Sequence, residues 1–157
     1  MGGETMTGRA VVQNAGYAYR LNAQTLTEEF HVNRRLQFML LRYTQLLITQ
    51  MAQTAVCNRL HSVEQQLCRR LLLSLDRSDS NQLTTTQGLI AGLLGVRREG
   101  INEAAGKLQD LGVIRTQRGR ITVLDRGRLE QLCCECYAVI KKESDRLMPV
   151  VPSPAGP

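Results

Sequence analysis

Arg98, Glu99 and Asn102 put three long hydrogen-bonding side chains at the start of one helical pattern. Their chemistry suits the edges of DNA bases. A guanidinium pairs bidentately with guanine, a carboxylate accepts from cytosine N4, and an amide pairs with adenine. Each such contact discriminates by roughly 1–3 kcal/mol. Farther on, Arg115, Arg118 and Arg120 suit phosphate contacts, which add affinity and register without sequence choice. Thr85 and Thr86 open the preceding helical pattern, where free backbone N–H groups help to hold a phosphate.

Two short helices and a hairpin must position these groups. The first is expected over about Thr85–Leu94, with Leu89, Ile90, Leu93 and Leu94 inward and small Ala91 where a second helix crosses. Gly95 supplies a turn that needs positive φ. The second helix is expected over about Arg98–Leu111, with Ile101, Ala104, Ala105, Leu108 and Leu111 facing the core and Glu99, Asn102, Glu103 and Gly106 facing outward. Gly112 ends it, and strands over Val113–Gln117 and Arg120–Leu124 flank Arg118-Gly119. This is the layout of a winged helix-turn-helix, which places one helix in the major groove. Ser62–Gln65 and Thr84–Gln87 both read as capping boxes that start helices. Gly88, Gly92, Gly100 and Gly106 fall inside the helices at about 1 kcal/mol each relative to Ala, with close packing expected at the 88/92 face.

The expected fold is mainly α: a long dimerisation helix, then a winged helix-turn-helix domain, with a small β remnant at the N-terminus. Residues 1–26 read as that remnant, with strand-like runs at Arg9–Gln13 and Tyr17–Leu21. Two strands alone are marginal in water, so they belong to a larger β domain or pack on something else. Residues 27–59 read as one helix about 45 Å long. Leu36, Leu40, Tyr43, Leu47, Met51 and Thr54 form a near-heptad seam on it, and Leu41, Ile48, Ala52 and Val56 a second stripe. One side can pack on its own chain and the other on a second copy. Residues 60–147 read as the DNA-binding domain, closed by a helix from Asp125 to Leu147 with Leu129, Leu132, Cys136, Val139 and Ile140 on one face. Residues 148–157 read as a disordered, Pro-rich tail.

Bulk properties agree with an anionic partner. The 157 residues carry 20 Lys and Arg against 14 Asp and Glu, for a net charge of +6. Residues 59–124 hold 10 basic and 6 acidic side chains, so most of the excess lies with the helix-turn-helix. No run of about 18 apolar residues exists to span a membrane, and no signal core precedes Arg9. Five cysteines without a regular framework fit a reduced, cytoplasmic setting.

Cys133 and Cys136 have C-x-x-C spacing and raise a thiol or metal sensor as an alternative. A structural zinc site needs four ligands. No second pair lies nearby in sequence, Cys57 and Cys68 are isolated, and His31 and His61 are distant, so no metal or cofactor is expected. No phosphate loop, H-E-x-x-H or convincing triad appears, which argues against an enzyme. A second alternative is a helical dimeric module that contacts other proteins.

The chain resembles the Crp/Fnr family of bacterial transcription regulators. The resemblance rests on Leu94-Gly95-Val96-Arg97-Arg98-Glu99, Lys107-Leu108-Gln109-Asp110-Leu111-Gly112-Val113-Ile114 and Arg118-Gly119-Arg120-Ile121. The long helix followed by Ser62–Arg69 fits as well, and the match covers roughly residues 9–147. It implies a homodimer on a two-fold-related site in double-stranded DNA, with RNA polymerase as a further partner. It places the family's base readers on Arg98 and Glu99 and a third on Glu103, where the family often has Arg. Arg97 stands where the family usually has a helix-starting Ser, losing a cap and adding a phosphate contact. Of the family's β-roll sensor, only the last strands are expected within residues 1–26. Met6-Thr7 stand about where its phosphate-gripping Arg-Ser pair would be, so no cyclic nucleotide binding is expected.

Overall fold

The computed structural model describes residues 8, 11–12 and 17–149. Met6, Thr7, Arg9, Ala10, Gln13 and the tail from residue 150 onward lie outside the described residues, with the expectations attached to them. Seven helices and three strands follow in the order α1 (Ala23–Val32), α2 (Arg34–Leu60), α3 (Val63–Leu75), β1 (Gln82–Thr84), α4 (Gln87–Leu94), α5 (Arg98–Asp110), β2 (Ile114–Gln117), β3 (Arg120–Val123), α6 (Arg126–Leu132) and α7 (Cys136–Leu147). The fold is mainly helical, as expected. No described helix is long and apolar enough to cross a membrane.

The capping box at the start of α3 forms. Ser62 Oγ accepts the Gln65 N–H at 3.2 Å, and the Ser62 N–H donates to Gln65 Oε1 at 3.2 Å. That fixes the entry of α3, whose Leu67, Cys68, Leu71 and Leu72 are all but fully buried. They meet Ile90 of α4, Ile101 and Leu108 of α5, Ile114 and Ile121 of the sheet and Leu129 of α6 in one core. Each large aliphatic side chain so buried contributes about 1.5–3 kcal/mol. The sheet is antiparallel in the order β1-β3-β2, with Leu83 opposite Ile121 and Ile114 opposite Val123.

Several expectations are corrected. The second capping box is not used: Thr84 is the last residue of β1, paired with Arg120. Thr86 caps α4 instead, accepting the Leu89 N–H at 3.1 Å. Gln82–Thr84, not expected as a strand, thus contributes a third one, because β3 offers its free edge. The helix expected over Thr27–Arg59 is broken at Asn33. That residue ends α1 by donating its N–H to Glu29 O and starts α2 by accepting the Leu36 N–H on its side chain. Side-chain competition of this kind is why Asn favours helix ends. The helix expected over Asp125–Leu147 is also broken, since Cys133 adopts extended backbone (φ −77°, ψ 157°) between α6 and α7. Val139 therefore stays exposed while Leu129, Cys136 and Ile140 are buried.

Tyr17–Leu21 does not form a strand, nor do Val11 and Val12. Tyr17 and Tyr19 are fully exposed; no sheet edge in the described fold lies beside them to satisfy their backbone. Leu89, Leu93 and Leu111, expected in the core, are exposed at 39%, 41% and 52%. The packing reason for the helical glycines also fails. A Cβ at Gly88, Gly92 or Gly106 would meet nothing within 4 Å, and one at Gly100 would only touch Val63.

Candidate nucleic-acid interface

Gly95 turns the chain between α4 and α5 at φ +68°, and buried Ala91 lets the two helices approach. Val96 N–H closes the turn on Ala91 O at 3.1 Å. The start of α5 is held from behind by Ile101, Ala104, Ala105 and Leu108, none more than 4% exposed. Arg97, Arg98, Glu99, Asn102 and Glu103 consequently sit on the opposite, exposed side. Arg97 is the N-cap residue and makes no side-chain cap at the positive end of α5, where only its backbone oxygen accepts, from the Gly100 N–H at 3.1 Å and the Ile101 N–H at 3.4 Å.

The hairpin is fixed to this helix. Gly119 turns it at φ +74°, and the Gln109 side-chain oxygen accepts from the Thr116 N–H at 2.6 Å and from the Thr116 hydroxyl. The Thr85 N–H donates to Gly119 O at 3.0 Å and ties the start of α4 to the hairpin tip. The outcome is a groove of about 410 Å³ lined by Thr85, Thr86, Arg98, Arg118 and Arg120. Five residues read from the sequence as DNA contacts thus meet at one concavity, joined by Gln87, Thr116 and Gln117, which were not read as contacts. Arg115 is exposed on β2 but does not line the groove.

Among the described residues, no hydrogen bond or ion pair engages the side chains of Arg97, Arg98, Glu99, Asn102, Arg115, Arg118 or Arg120. Glu103 differs. Its carboxylate lies 3.0 Å from Lys107 Nζ one turn on, and this hydrogen bond raises the lysine above its ordinary pKa. Away from this face, Arg126, Lys141 and Arg146 are paired with carboxylates. Arg126 bridges Asp76 at 2.6 Å, Glu130 at 2.9 Å and the Tyr137 hydroxyl at 2.9 Å, so tying α6 to the end of α3 and to α7. Burial pushes the Tyr137 phenol up to about 12.

The proposed seam on α2 is mixed. Tyr43, Leu47 and Met51 are exposed at 47%, 38% and 64%, whereas Leu36 and Leu40 are half-buried. Thr54 is turned toward its own chain, accepting from Arg69 Nη1 at 3.1 Å. The side of α2 that packs on α7 is neither expected stripe: Leu46, Gln53 and Cys57 provide it. Left outward are Tyr43, Leu47 and Met51 of the first stripe and Leu41, Ile48 and Val56 of the second.

Cys133 and Cys136 do not act as a pair. Cys133 Sγ faces Gln65 O at 4.0 Å, while Cys136 joins Cys57, His61 and Cys134. Burial pushes the Cys57 thiol up to about 12 and raises Cys134 as well.

A capped helix, a left-handed glycine turn, an exposed second helix headed by Arg97-Arg98 and a three-stranded wing define a winged helix-turn-helix. Residues 65–132 match the family of the Crp-like helix-turn-helix domain. Among solved structures, the chain is similar to a protein from Eubacterium rectale assigned to the Crp/Fnr family of transcriptional regulators. Identity is 25% and the TM-score 0.51, over 70% of this chain and 51% of that one. It is also similar to the catabolite activator protein of Thermus thermophilus (21% identity, TM-score 0.40, 74% and 50% covered). A third is a Crp/Fnr-family transcriptional regulator, likewise from Thermus thermophilus (21%, 0.41, 72% and 56%). The chain spans about half the length of the structures it matches. No curated protein matches it.

Proposed function

We propose that the chain is a transcription regulator that binds DNA sequence-specifically as a homodimer. The observation that carries this reading is the groove where Arg98 faces Arg118 and Arg120 with no internal partner for any of the three guanidiniums. Cations left unpaired at a concave surface are available to phosphates and base edges, and a helix N-terminus beside them adds positive potential. Arg98 and Glu99 then read bases and Asn102 follows one turn on. Glu103 reads a base edge only when released from Lys107. Arg97, Arg115, Arg118 and Arg120, with Thr85 and Thr86, position the duplex. The outward stripe of α2 at Tyr43, Leu47 and Met51, extended by Leu36 and Leu40, pairs two copies. That sets the two α5 helices about one DNA turn, roughly 34 Å, apart. Thr54 is left out of this seam.

Selection of DNA sites from a random pool, followed by fluorescence anisotropy across a salt series, tests the reading. The expected result is a palindromic site whose affinity falls steeply with salt. Arg98→Ala should keep the salt-sensitive non-specific mode and lose discrimination. Absence of salt-dependent binding to any duplex would sink the reading and favour a protein-contact role for the domain.

A further inference from the structure

Cys57 and His61 end α2 one turn apart, on the side that faces α7. The break between α6 and α7 brings Cys134 and Cys136 against them, from 77 residues away in the case of Cys57 and Cys134. One ligating atom from each of the four lies within 4.8 Å of every other. The three cysteines are buried and the His61 side chain is 12% exposed. We propose that these four residues form a tetrahedral zinc site, Cys57, Cys134 and Cys136 through sulfur and His61 through Nδ1.

The distances discriminate between metal types. Zn–S of about 2.3 Å and Zn–N of about 2.0–2.1 Å in a tetrahedron require S···S of about 3.8 Å and S···N of about 3.5 Å. Cys57 Sγ lies 3.7 Å from Cys134 Sγ, and Cys136 Sγ lies 3.5 Å from His61 Nδ1. Ligand atoms so close together enclose a single ion. A cluster of several irons would hold its sulfurs farther apart.

The surroundings also fit. His61 Nε2 lies 3.2 Å from Glu135 Oε1. A carboxylate on the far ring nitrogen fixes the tautomer that leaves Nδ1 free to bind, as metal-ligating histidines require. Gln53 Nε2 donates toward Cys136 Sγ at 3.1 Å, a donor suited to a thiolate. Arg69 gives an independent indication. Its side chain is 4% exposed, its Nε has no partner, and among the described residues no carboxylate pairs with it. Its charge is close enough to Cys57 to act on that sulfur. A buried cation needs a compensating charge, and one Zn²⁺ with three thiolates and a neutral imidazole carries a net negative charge. On binding, three Zn–S bonds and one Zn–N bond form and the three thiol protons pass to solvent. The ion would bolt α2 to the corner between α6 and α7, and so fix the long helix relative to the winged domain.

The full chain, purified without oxygen or chelator in the presence of a reductant, should contain about one zinc per chain. X-ray absorption on that wild-type protein should give three sulfur ligands and one nitrogen. Cobalt exchanged into the site should show tetrahedral ligand-field bands and thiolate charge transfer. Cys57→Ser, Cys134→Ser, Cys136→Ser and His61→Ala should each lose the stoichiometric metal, whereas Cys68→Ser and Cys133→Ser should keep it. Glu135→Gln should weaken zinc about 10–100-fold. The proposal is overturned by wild-type protein that takes up no metal from excess zinc, by a Cys57–Cys134 disulfide found in its place, by an iron–sulfur spectrum, or by a four-sulfur shell. Should the variants misfold, absorption and cobalt spectra of the wild type still decide. None of these readouts involves DNA, so they stand apart from the test of sequence-specific binding.

Discussion

Between Thr85 and Ile121 the exposed groove is assembled from residues close in sequence, and its arginines are left without internal partners. The joint between α2, α6 and α7 is assembled from residues far apart, and its polar groups are engaged: Gln53 with Cys136, His61 with Glu135, Arg126 with Asp76 and Tyr137. The difference separates two tasks. Unsatisfied charge at the surface costs little in water and is available to a ligand. Unsatisfied charge inside costs several kcal/mol, so these polar groups pair with one another, and the unpartnered Nε of buried Arg69 beside them is the exception.

That comparison can be broken by changing one region and reading the other. The largest expected effect comes from the outward seam of α2. If the proposed dimer forms through this seam, Leu47→Glu with Met51→Glu should give a monomer in analytical ultracentrifugation where the wild type is dimeric, and cost DNA affinity at least about 100-fold, because two half-sites no longer bind as one unit. Thermal stability of the winged domain should hardly change. Next, Arg98→Ala should cost about 1–3 kcal/mol on the selected site and almost nothing on random DNA. Equal losses on both would make it a phosphate contact. On the joint side, Arg126→Ala leaves Asp76 and the Tyr137 hydroxyl without their shared donor. Urea unfolding should show a loss of about 1–2 kcal/mol. Arg118→Ala should weaken all sequences alike and reduce the salt slope by about 1, with no loss of stability. The smallest effect is a gain: Gly92→Ala, with open space where the methyl group goes, should stabilise by about 0.5–1 kcal/mol. If that variant binds DNA as wild type, the glycine has no role in the groove either.

The groove was readable because its signals are local. Helical periodicity gave the core faces at Ile101, Ala104 and Leu108, and the left-handed turns at Gly95, Gly112 and Gly119 demanded glycine where it stands. Errors inside this region came from competition between partners. Thr84 has the chemistry of a cap, but the edge of β3 claimed its backbone. Leu89, Leu93 and Leu111 have core chemistry, yet these helices present more apolar residues than one buried face accepts. On α2 the apolar pattern marked real stripes without saying which side the chain itself would cover. The side taken by α7 is lined by Leu46, Gln53 and Cys57, which no apolar periodicity singles out.

The sequence by itself determined α3, α4, α5, β2 and β3 in their order, without β1, and the residue types at the start of α5. Those depend on caps, turns and periodicity over a few residues. Only the tertiary structure decided that the groove's arginines stay unpaired and that Cys57 and His61 meet Cys134 and Cys136. The second depends on how the chain breaks at Cys133 and folds α7 back along α2. A contact between residues 77 apart is set by the packing of everything between them, and no local spacing encodes it.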